Sequence, residues 1–276
     1  MFEDEPKFEL PKARPVIGWP GGKGRLLKHI LPHVPDHLVY VEVFGGGLAV
    51  FLGKPPSDVE VINDINGDLV SFYRCCKYHL DPLLDELDLV TNSRQEMEDF
   101  LRQPGLTEIQ RAARWFIRNK ISFGGMGETF AVSRVRPLGS RVNRLTAIRS
   151  LNRRLDRTTI ENVSWEKCLD LYDHPKGFFF LDPPYLDSGG GAYKGWSELE
   201  LERFAIAVHG LQAKWMVTFQ DCEQVRTAFG GKRIIPIERA NGIGNNHGKT
   251  GRTYREVMIL SEDAPRGRRR KGGSAS

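Results

Sequence analysis

The tetrapeptide Asp182-Pro183-Pro184-Tyr185 contains the residues best suited to chemistry in this sequence. It follows residues 178–181, a short apolar run typical of a strand buried on both faces. Proline cannot donate a hydrogen bond to a neighbouring strand, so we expect the strand to end there. Ligands of open α/β sheets bind beyond the carboxyl ends of the strands. We therefore expect this carboxylate, fixed backbone and aromatic ring to meet a ligand, although a rigid turn alone would fit the same residues.

A glycine turn between a strand and a helix is predicted earlier in the chain. Residues 39–44 are rich in β-branched residues and predict a strand, Gly45-Gly46-Gly47 follows, and residues 48–52 begin a helix. A second predicted strand, residues 60–66, ends around the acid Asp64. An acid at this place is suited to hydrogen-bond ribose hydroxyls. The pattern indicates an adenosine-containing cofactor, and it differs from the G-x-G-x-x-G of dinucleotide enzymes.

A second glycine-rich loop, Trp19-Pro20-Gly21-Gly22-Lys23, precedes a helix that we predict over residues 25–31. Glycines at such a place allow the backbone to approach a ligand closely. Lys23, near the helix start, is suited to hold a carboxylate or a phosphate. The loop lacks the spacing and the Lys-Ser/Thr ending of a P-loop.

The composition is that of an ordinary soluble globular protein. The chain has 276 residues, 27% of them charged, and its formal net charge of +5 suggests a polyanionic partner. The four cysteines show neither metal-site spacing nor a disulfide pattern, which predicts free thiols in a reducing cytosol. Residues 1–15 have the composition of neither a signal peptide nor a membrane span. We therefore expect a cytoplasmic protein that binds no membrane and no metal.

A basic segment lies between the second and third predicted strands. Its acids between positions 111 and 157 are Glu128 and Asp156, whereas arginines recur on its predicted helices. The helix predicted over residues 142–155 is expected to expose Arg144, Arg149, Arg153 and Arg154. Solvated helix faces usually mix the two signs of charge, so a single sign favours contact with a phosphate backbone.

Strands alternating with helices predict an α/β fold that is split by this segment. Further strands are predicted over residues 158–163, 214–219, 233–239 and 254–260, with 164–166 ending the first of them. Residues 1–66 and 158–262 would form the catalytic domain, and residues 67–157 a mainly helical insertion. Residues 263–276 are expected to be a disordered basic tail.

The ordered motifs, taken together, resemble the Dam-type (D12 class) DNA adenine-N6 methyltransferases. The resemblance covers about residues 16–260 and is carried by the loop at Trp19, the turn at Phe44, the Asn63-Asp64-Ile65-Asn66 segment and the tetrapeptide. It implies a Rossmann-like sheet with helices on both faces and an inserted target-recognition domain. Two positions depart from the family's pattern, Pro20 in the first loop and Leu48 where a further glycine is common. Both could alter cofactor affinity, and neither removes a catalytic group.

The resemblance also implies the cofactor, S-adenosylmethionine, and a set of site residues. Lys23 would pair with its methionine carboxylate and Asp64 with its ribose hydroxyls. Ile65, Ser164 and Trp165 would flank the adenine. The full cofactor set is Trp19, Gly21, Gly22, Lys23, Phe44, Gly45, Gly46, Gly47, Asp64, Ile65, Ser164, Trp165 and Asp182, and the catalytic set is Asp182, Pro183, Pro184 and Tyr185.

The expected reaction is methylation of the adenine N6 amine in double-stranded DNA after base flipping. Asp182 and the Pro183 carbonyl would accept the two amine hydrogens, and Tyr185 would stack on the extruded base. Aspartate at this position favours adenine, because related cytosine-N4 enzymes more often have serine. A cytosine or RNA acceptor and a non-enzymatic DNA binder remain the alternatives.

The basic insertion is predicted to hold the DNA, with residues 123–136 nearest the target base. The recognition sequence, a partner restriction enzyme and the oligomeric state are left open, although a monomer or weak dimer is expected. The candidate DNA contacts are Arg118, Asn119, Lys120, Phe123, Arg134, Arg136, Arg144 and Arg149.

Overall fold

A seven-stranded mixed sheet forms the centre of the protein in a computed structural model that describes residues 14–90, 93–125, 127–130, 140–186, 195–240 and 253–263. The strand order across the sheet is β3-β2-β1-β4-β5-β7-β6. The strands are β1 (Val39–Glu42), β2 (Val59–Asn63), β3 (Thr158–Glu161), β4 (Gly177–Leu181), β5 (Lys214–Gln220), β6 (Lys232–Ala240) and β7 (Thr253–Asp263).

The first five strands are parallel, and β7 pairs antiparallel with both β5 and β6. All five residues of β4 are buried, as its continuous apolar run predicts for a central parallel strand. Pro236 lies in β6, which is an edge strand of the sheet. An edge strand has no neighbour on its outer side, so the missing N–H of a proline can be tolerated there. The predicted Rossmann-like α/β sheet is confirmed.

Ten α-helices are present in the described ranges, and the capping sequences mark several of their starts. Ser93, Thr107 and Ser197 each accept a hydrogen bond from the backbone N–H three residues later, as expected of helix caps. The helices are α1 (Leu27–Ile30), α2 (Ala49–Gly53), α3 (Gly67–Tyr78), α4 (Leu80–Asp88), α5 (Arg94–Arg102), α6 (Glu108–Ile121), α7 (Arg141–Leu155), α8 (Trp165–Tyr172), α9 (Glu198–His209) and α10 (Glu223–Ala228).

Two local predictions are wrong. Residues 164–166 do not end β3, because the Ser164 hydroxyl caps α8 and Trp165 is the first residue of that helix. The continuous helix predicted over residues 25–31 is instead two 3-10 turns, Lys23–Arg25 and Leu31–His33, on either side of α1. Pro32 lies in the second turn and has no N–H to donate, so the α-helical hydrogen-bond pattern is interrupted there.

The sheet buries its two faces in two hydrophobic clusters. Alternate strand residues such as Phe178 and Phe180 pack against α2 to α7, whereas Phe179 and Leu181 pack against α8 to α10. The helices between β2 and β3 thus share a hydrophobic core with one face of the sheet. The domain division predicted at residues 67–157 remains a prediction.

Arg154 in α7 is buried, which corrects the prediction that it is exposed. Its guanidinium donates a 2.7 Å bond to Glu60 of β2 and a 2.9 Å bond to the carbonyl of Phe51, whose ring lies 3.7 Å away. Lys54 donates to the same Glu60 carboxylate at 2.6 Å. The last turn of α7 is therefore fixed to the helix that follows the glycine turn.

Arg154→Ala should destabilise the protein by about 3 kcal/mol, because it leaves the Glu60 carboxylate buried with one cation fewer. Chemical denaturation would measure the loss. Arg153→Ala, which removes the exposed neighbouring arginine, should change stability by less than about 0.5 kcal/mol. Equal losses in the two variants would contradict the described burial.

Candidate active site

The predicted catalytic and cofactor residues meet at the carboxyl edge of the sheet. Strand β1 pairs with β2 on one side and with β4 on the other. The turn after β1 therefore lies between Asp64, which follows β2, and Asp182, which follows β4. This edge, at the carboxyl ends of parallel strands, is where open α/β sheets bind ligands.

Asp182 is held by two side chains from other elements. The Lys23 ammonium lies 2.7 Å from its carboxylate, and the Thr218 hydroxyl of β5 donates a 2.8 Å hydrogen bond. Lys23 also donates to the carbonyl of Gly21 at 2.8 Å and is only 3% exposed. Asp182 keeps 19% of its side chain exposed, so the carboxylate is oriented and still accessible.

The remaining residues of the tetrapeptide place an aromatic ring beside this ion pair. The Tyr185 ring stacks on Phe219 of β5 with a centroid distance of 5.5 Å. The Lys23 ammonium lies 5.2 Å from the same tyrosine centroid. Pro183 is buried, and both Pro184 and Tyr185 are partly exposed. Stacking of this ring on a base remains a prediction.

The glycine turn packs closely against Trp19 of the N-terminal loop. Gly46 has a φ of +45°, and a Cβ atom there would lie 2.6 Å from the Trp19 indole. A larger residue would displace the indole or the turn. Leu48, where the related pattern has glycine, has a φ of +56° and adopts the left-handed conformation despite its side chain.

Asp64 is buried and fixed by backbone hydrogen bonds to both of its carboxylate oxygens. Gly46 N–H donates to Oδ2 and Asn66 N–H donates to Oδ1, each at 2.9 Å. A carboxylate oxygen has two lone pairs and can accept more than one hydrogen bond. Ile65 beside it is 61% exposed, which is compatible with an apolar contact to a ligand.

Trp165, one of the predicted adenine-flanking residues, belongs to an aromatic group that also includes Phe44 of the turn. Phe44 packs edge-on against Trp196 and Phe204, and Trp165 contacts the same two rings. Ser164 is exposed, and its hydroxyl caps α8. Trp196 joins these residues to the segment after β4, because its N–H donates to the Tyr185 carbonyl.

Sequence reasoning missed several buried polar residues around the site. Asn63 links the glycine turn to β3, because its amide donates to the carbonyl of Val43 and accepts from the N–H of Val163. Thr218 orients Asp182, and Glu256 of β7 lies 3.9 Å from Lys23. Their signal was a polar residue inside an apolar strand, which indicates a specific partner but not its identity.

Glu42, at the end of β1, is another missed residue. Burial raises the pKa of its carboxyl to about 8, against the lowering effect of hydrogen bonds from Tyr40 and the Phe51 N–H. The carboxylate of Asp182 adds to the increase. Glu42 is therefore mostly protonated at neutral pH and adds little negative charge to the site.

Asn119 was predicted to contact DNA, but the structure places it in the interior of the protein. It is 4% exposed, and its amide makes three hydrogen bonds of 2.7–2.9 Å, two with the backbone of Gly18 and one with the carbonyl of Gly125. A Cβ atom on Gly125 would lie 2.5 Å from the Gly18 oxygen. Asn119 thus joins the end of α6 to the N-terminal loop and is not available to bases or phosphates.

The other predicted DNA contacts have different surroundings. Arg118 is half-buried and donates to the Gly127 carbonyl. Lys120 is exposed to solvent, and the pKa of its ammonium is lowered by partial desolvation and by the positive charge of Arg144. Arg149 lies 3.8 Å from Asp81 of α4, an acid outside the basic run. Arg134, Arg136 and the side chain of Phe123 lie outside the described residues.

Acids from α4 reduce the charge asymmetry that the sequence suggests. Arg141 pairs with Asp88, as Arg149 does with Asp81.

The described ranges contain no group of three or more His, Cys, Asp and Glu side chains arranged to hold a metal ion. They also contain no helix with the length and apolar character needed to cross a membrane.

The sheet order, the glycine turn, the strand-end acid and the tetrapeptide together define an S-adenosylmethionine-dependent methyltransferase. A family model described as "D12 class N6 adenine-specific DNA methyltransferase" matches residues 19–242. The chain therefore belongs to the D12 class of adenine-N6-specific DNA methyltransferases, as the motifs predicted.

Two relatives by sequence agree with this assignment. The chain is 30% identical over 193 residues to the Type II methyltransferase M1.LlaDCHI of Lactococcus lactis subsp. cremoris, covering 63% of this chain and 66% of that protein. It is 28% identical to the Type II methyltransferase M.MjaIII of Methanocaldococcus jannaschii, covering 63% of this chain and 70% of that protein. Among solved structures, the rRNA methyltransferase aviRa of Streptomyces viridochromogenes matches with a TM-score of 0.37, 14% identity and 90% coverage of each chain.

Glu42→Gln should flatten the dependence of stability on pH. The folded-state pKa of about 8 exceeds the ordinary value of 4.5, so the protonated carboxyl favours the folded state and this contribution is lost as pH rises through about 8. We expect the wild type to lose roughly 2–4 kcal/mol more than the variant between pH 5 and pH 9. Denaturant titrations at several pH values would measure this, with the exposed Glu262→Gln as the control. Parallel curves for wild type and Glu42→Gln would show that Glu42 is ionised throughout.

Proposed function

We propose that this chain transfers a methyl group from S-adenosylmethionine to the N6 amine of adenine in double-stranded DNA, and that the tetrapeptide binds the target base. The observation that carries the proposal is the oriented carboxylate of Asp182, beside the glycine turn at the carboxyl edge of the sheet. Membership in the adenine-specific family supports the same reaction.

The proposed mechanism depends on hydrogen-bond acceptors at the amine. The lone pair of the adenine amine is delocalised into the ring, so the amine is a poor nucleophile. Asp182 and the Pro183 carbonyl accept hydrogen bonds from its two N–H groups and stabilise the positive charge that develops on nitrogen. The methylated nitrogen then releases one proton, and the other N–H remains in the product. The sulfonium of the cofactor, when bound, supplies an activated methyl group. Holding amine and methyl in line supplies much of the acceleration.

Target access requires extrusion of the base, because adenine inside a duplex is beyond reach of the carboxylate. The Tyr185 ring, fixed on Phe219, is our candidate stacking surface for the extruded adenine. Pro183 and Pro184 restrict the backbone, so the carbonyl direction is set before the base arrives.

The predicted cofactor residues are proposed to contact different parts of S-adenosylmethionine. Asp64 receives the ribose hydroxyls, Ile65 contacts the adenine ring, and the backbone at Gly45–Gly47 approaches the ligand. Lys23 is proposed to hold the methionine carboxylate while remaining close to Asp182. The low exposure and fixed orientation of Asp64 and Lys23 support these roles.

Residues 67–157 are proposed to hold the DNA, with the segment from Phe123 to Arg136 nearest the target base. Lys120 and Arg144 are the best candidates for phosphate contact, since Lys120 is exposed and the positive charge of Arg144 acts on it. Arg149 is a weaker candidate, because Asp81 lies beside it. We expect the enzyme to act in the cytoplasm of a bacterial or phage-infected cell, as a monomer or weak dimer.

Asp182→Ala should lower the rate of methyl transfer by about 10²-fold or more, the scale seen when one group that stabilises transition-state charge is removed. Nucleoside mass spectrometry of DNA after single-turnover reaction would measure the rate and identify the product. Asp170→Ala, at an exposed acid of α8, is the control and should keep full activity. Formation of 4-methylcytosine would favour the cytosine alternative, and no methylated nucleoside with wild-type protein would favour a non-enzymatic binder.

Arg144→Ala should weaken DNA binding evenly across sequences and reduce the salt dependence of binding by about one counterion. Arg149→Ala should have a smaller effect, because Asp81 already neutralises much of its charge. Fluorescence anisotropy on duplexes at several salt concentrations would compare them, with Arg203→Ala on α9 as the control. An unchanged salt slope for Arg144→Ala would contradict a phosphate contact there.

A further inference from the structure

Two loops that are far apart in the sequence meet at one buried side chain. Asn119, near the end of α6, is 4% exposed. Its Oδ1 accepts a hydrogen bond from the Gly18 N–H at 2.9 Å, and its Nδ2 donates to the carbonyls of Gly18 and Gly125, each at 2.7 Å. Asn119 therefore connects the N-terminal loop (residues 18–23) with the insertion loop (residues 122–125 and 127).

The contact requires the specific residue types that are present. An amide side chain has one acceptor oxygen and two N–H donors, which is the set that these three hydrogen bonds use. The two backbones also touch directly, because a Cβ atom on Gly125 would lie 2.5 Å from the Gly18 oxygen. Gly125 has a φ of +76°, which favours glycine as well. The two loops are thus held against each other by an amide and by a glycine.

The N-terminal loop continues from this contact into the candidate active site. The Trp19 ring lies 6.4 Å from the ring of Trp115, which precedes Asn119 by one helical turn of α6. Trp19 also packs on the glycine turn at Gly46, and Lys23 forms the ion pair with Asp182. The end of α6 therefore sets the position of the loop that reaches both the glycine turn and the candidate catalytic acid.

The insertion loop is rich in glycine and is held by short contacts to α6. Gly124, Gly125 and Gly127 all have positive φ angles. The Gly127 N–H donates to the Ser122 hydroxyl at 2.7 Å, and the Arg118 guanidinium donates to the Gly127 carbonyl at 3.1 Å. Glycine loses more conformational freedom on ordering than any other residue. Fixing this loop in advance therefore lowers the entropic cost for a ligand that needs it in one conformation.

We propose that Asn119 is a positioning residue that couples the binding of S-adenosylmethionine to the binding of DNA. The inference rests on the proposed function, which assigns the N-terminal loop to the cofactor and the insertion loop to the DNA. A ligand that orders one loop also orders the other through the shared amide, so the second ligand meets a loop that is already in place. By linkage, each ligand then raises the affinity of the other by the same factor.

Titration calorimetry of S-adenosylhomocysteine, with and without saturating DNA, tests the inference. This ligand carries no transferable methyl group, so no reaction occurs during the titration. The DNA is a short duplex with the site that the wild-type enzyme methylates, identified by modification-aware sequencing. The measured quantity is the ratio of the dissociation constant without DNA to the constant with DNA. We expect a wild-type ratio of about five or more, and a ratio below about two for Asn119→Ala.

Asn152→Ala is the matched control. The Asn152 amide donates to the carbonyls of Cys76 and Lys77 at 2.9 and 3.1 Å, a contact between α7 and α3 that involves neither loop. Its replacement also removes hydrogen bonds of a partly buried amide, and it should keep the wild-type ratio. A purely structural role for Asn119 would lower stability and leave the ratio unchanged, which would overturn the inference.

Gly125→Ala supplies a second variant that leaves Asn119 in place, and it carries the test if Asn119→Ala does not fold. The added methyl group would collide with the Gly18 oxygen and separate the two loops, so the ratio should again fall below about two. Gly231→Ala is its control, because Gly231 also has a positive φ, of +85°, but an added Cβ would meet no atom within 4 Å.

The wild-type result separates failure of the inference from failure of the proposed function. A wild-type ratio of one, or a wild-type ratio that persists in Gly125→Ala, would overturn the coupling while methylation continues. Wild-type protein that methylates no DNA or does not bind S-adenosylhomocysteine would contradict the proposed function itself.

Discussion

The ion pair between Lys23 and Asp182 is the contact on which the arrangement of the site depends. It joins the N-terminal loop to the end of β4, across 159 positions of sequence. Trp19, four residues before the lysine, packs on the glycine turn, and that turn donates to Asp64. Asn119 fixes the same loop to the end of α6. One short loop thus positions the proposed catalytic acid and the proposed cofactor site, and connects both to the helices proposed to hold DNA.

The sequence was sufficient where local patterns determine the structure. The continuous apolar run at residues 178–181 identified the central parallel strand β4, because both faces of that strand are covered by helices. Ser93, Thr107 and Ser197 marked helix starts, since a side-chain cap acts within three residues. The strand-end rule predicted that Asp64 and Asp182 lie at one edge of the sheet, and they do.

The sequence was insufficient where the partner of a side chain lies far along the chain. The helix pattern predicts that Arg154 is exposed like the neighbouring arginines. Its contact with Glu60 depends on the packing of α7 against β2, which the pattern does not show. Arg149 belongs to a run with few acids, yet Asp81 comes from a helix some seventy positions earlier. The neighbouring sequence does not predict the partners of Asn119, Thr218 and Glu256. A polar residue in an apolar segment indicates that a partner exists, but the partner comes from a distant part of the chain.

A crystal structure with bound S-adenosylhomocysteine tests the central claim most directly, because it locates the cofactor relative to the two strand-end acids. Our account predicts ribose hydroxyls on the Asp64 carboxylate, the backbone of the glycine turn against the ligand, and the sulfur directed toward Asp182. A ligand bound away from the carboxyl edge of β1 and β4, or an adenosine that does not contact Asp64, would contradict the assignment of this edge as the active site.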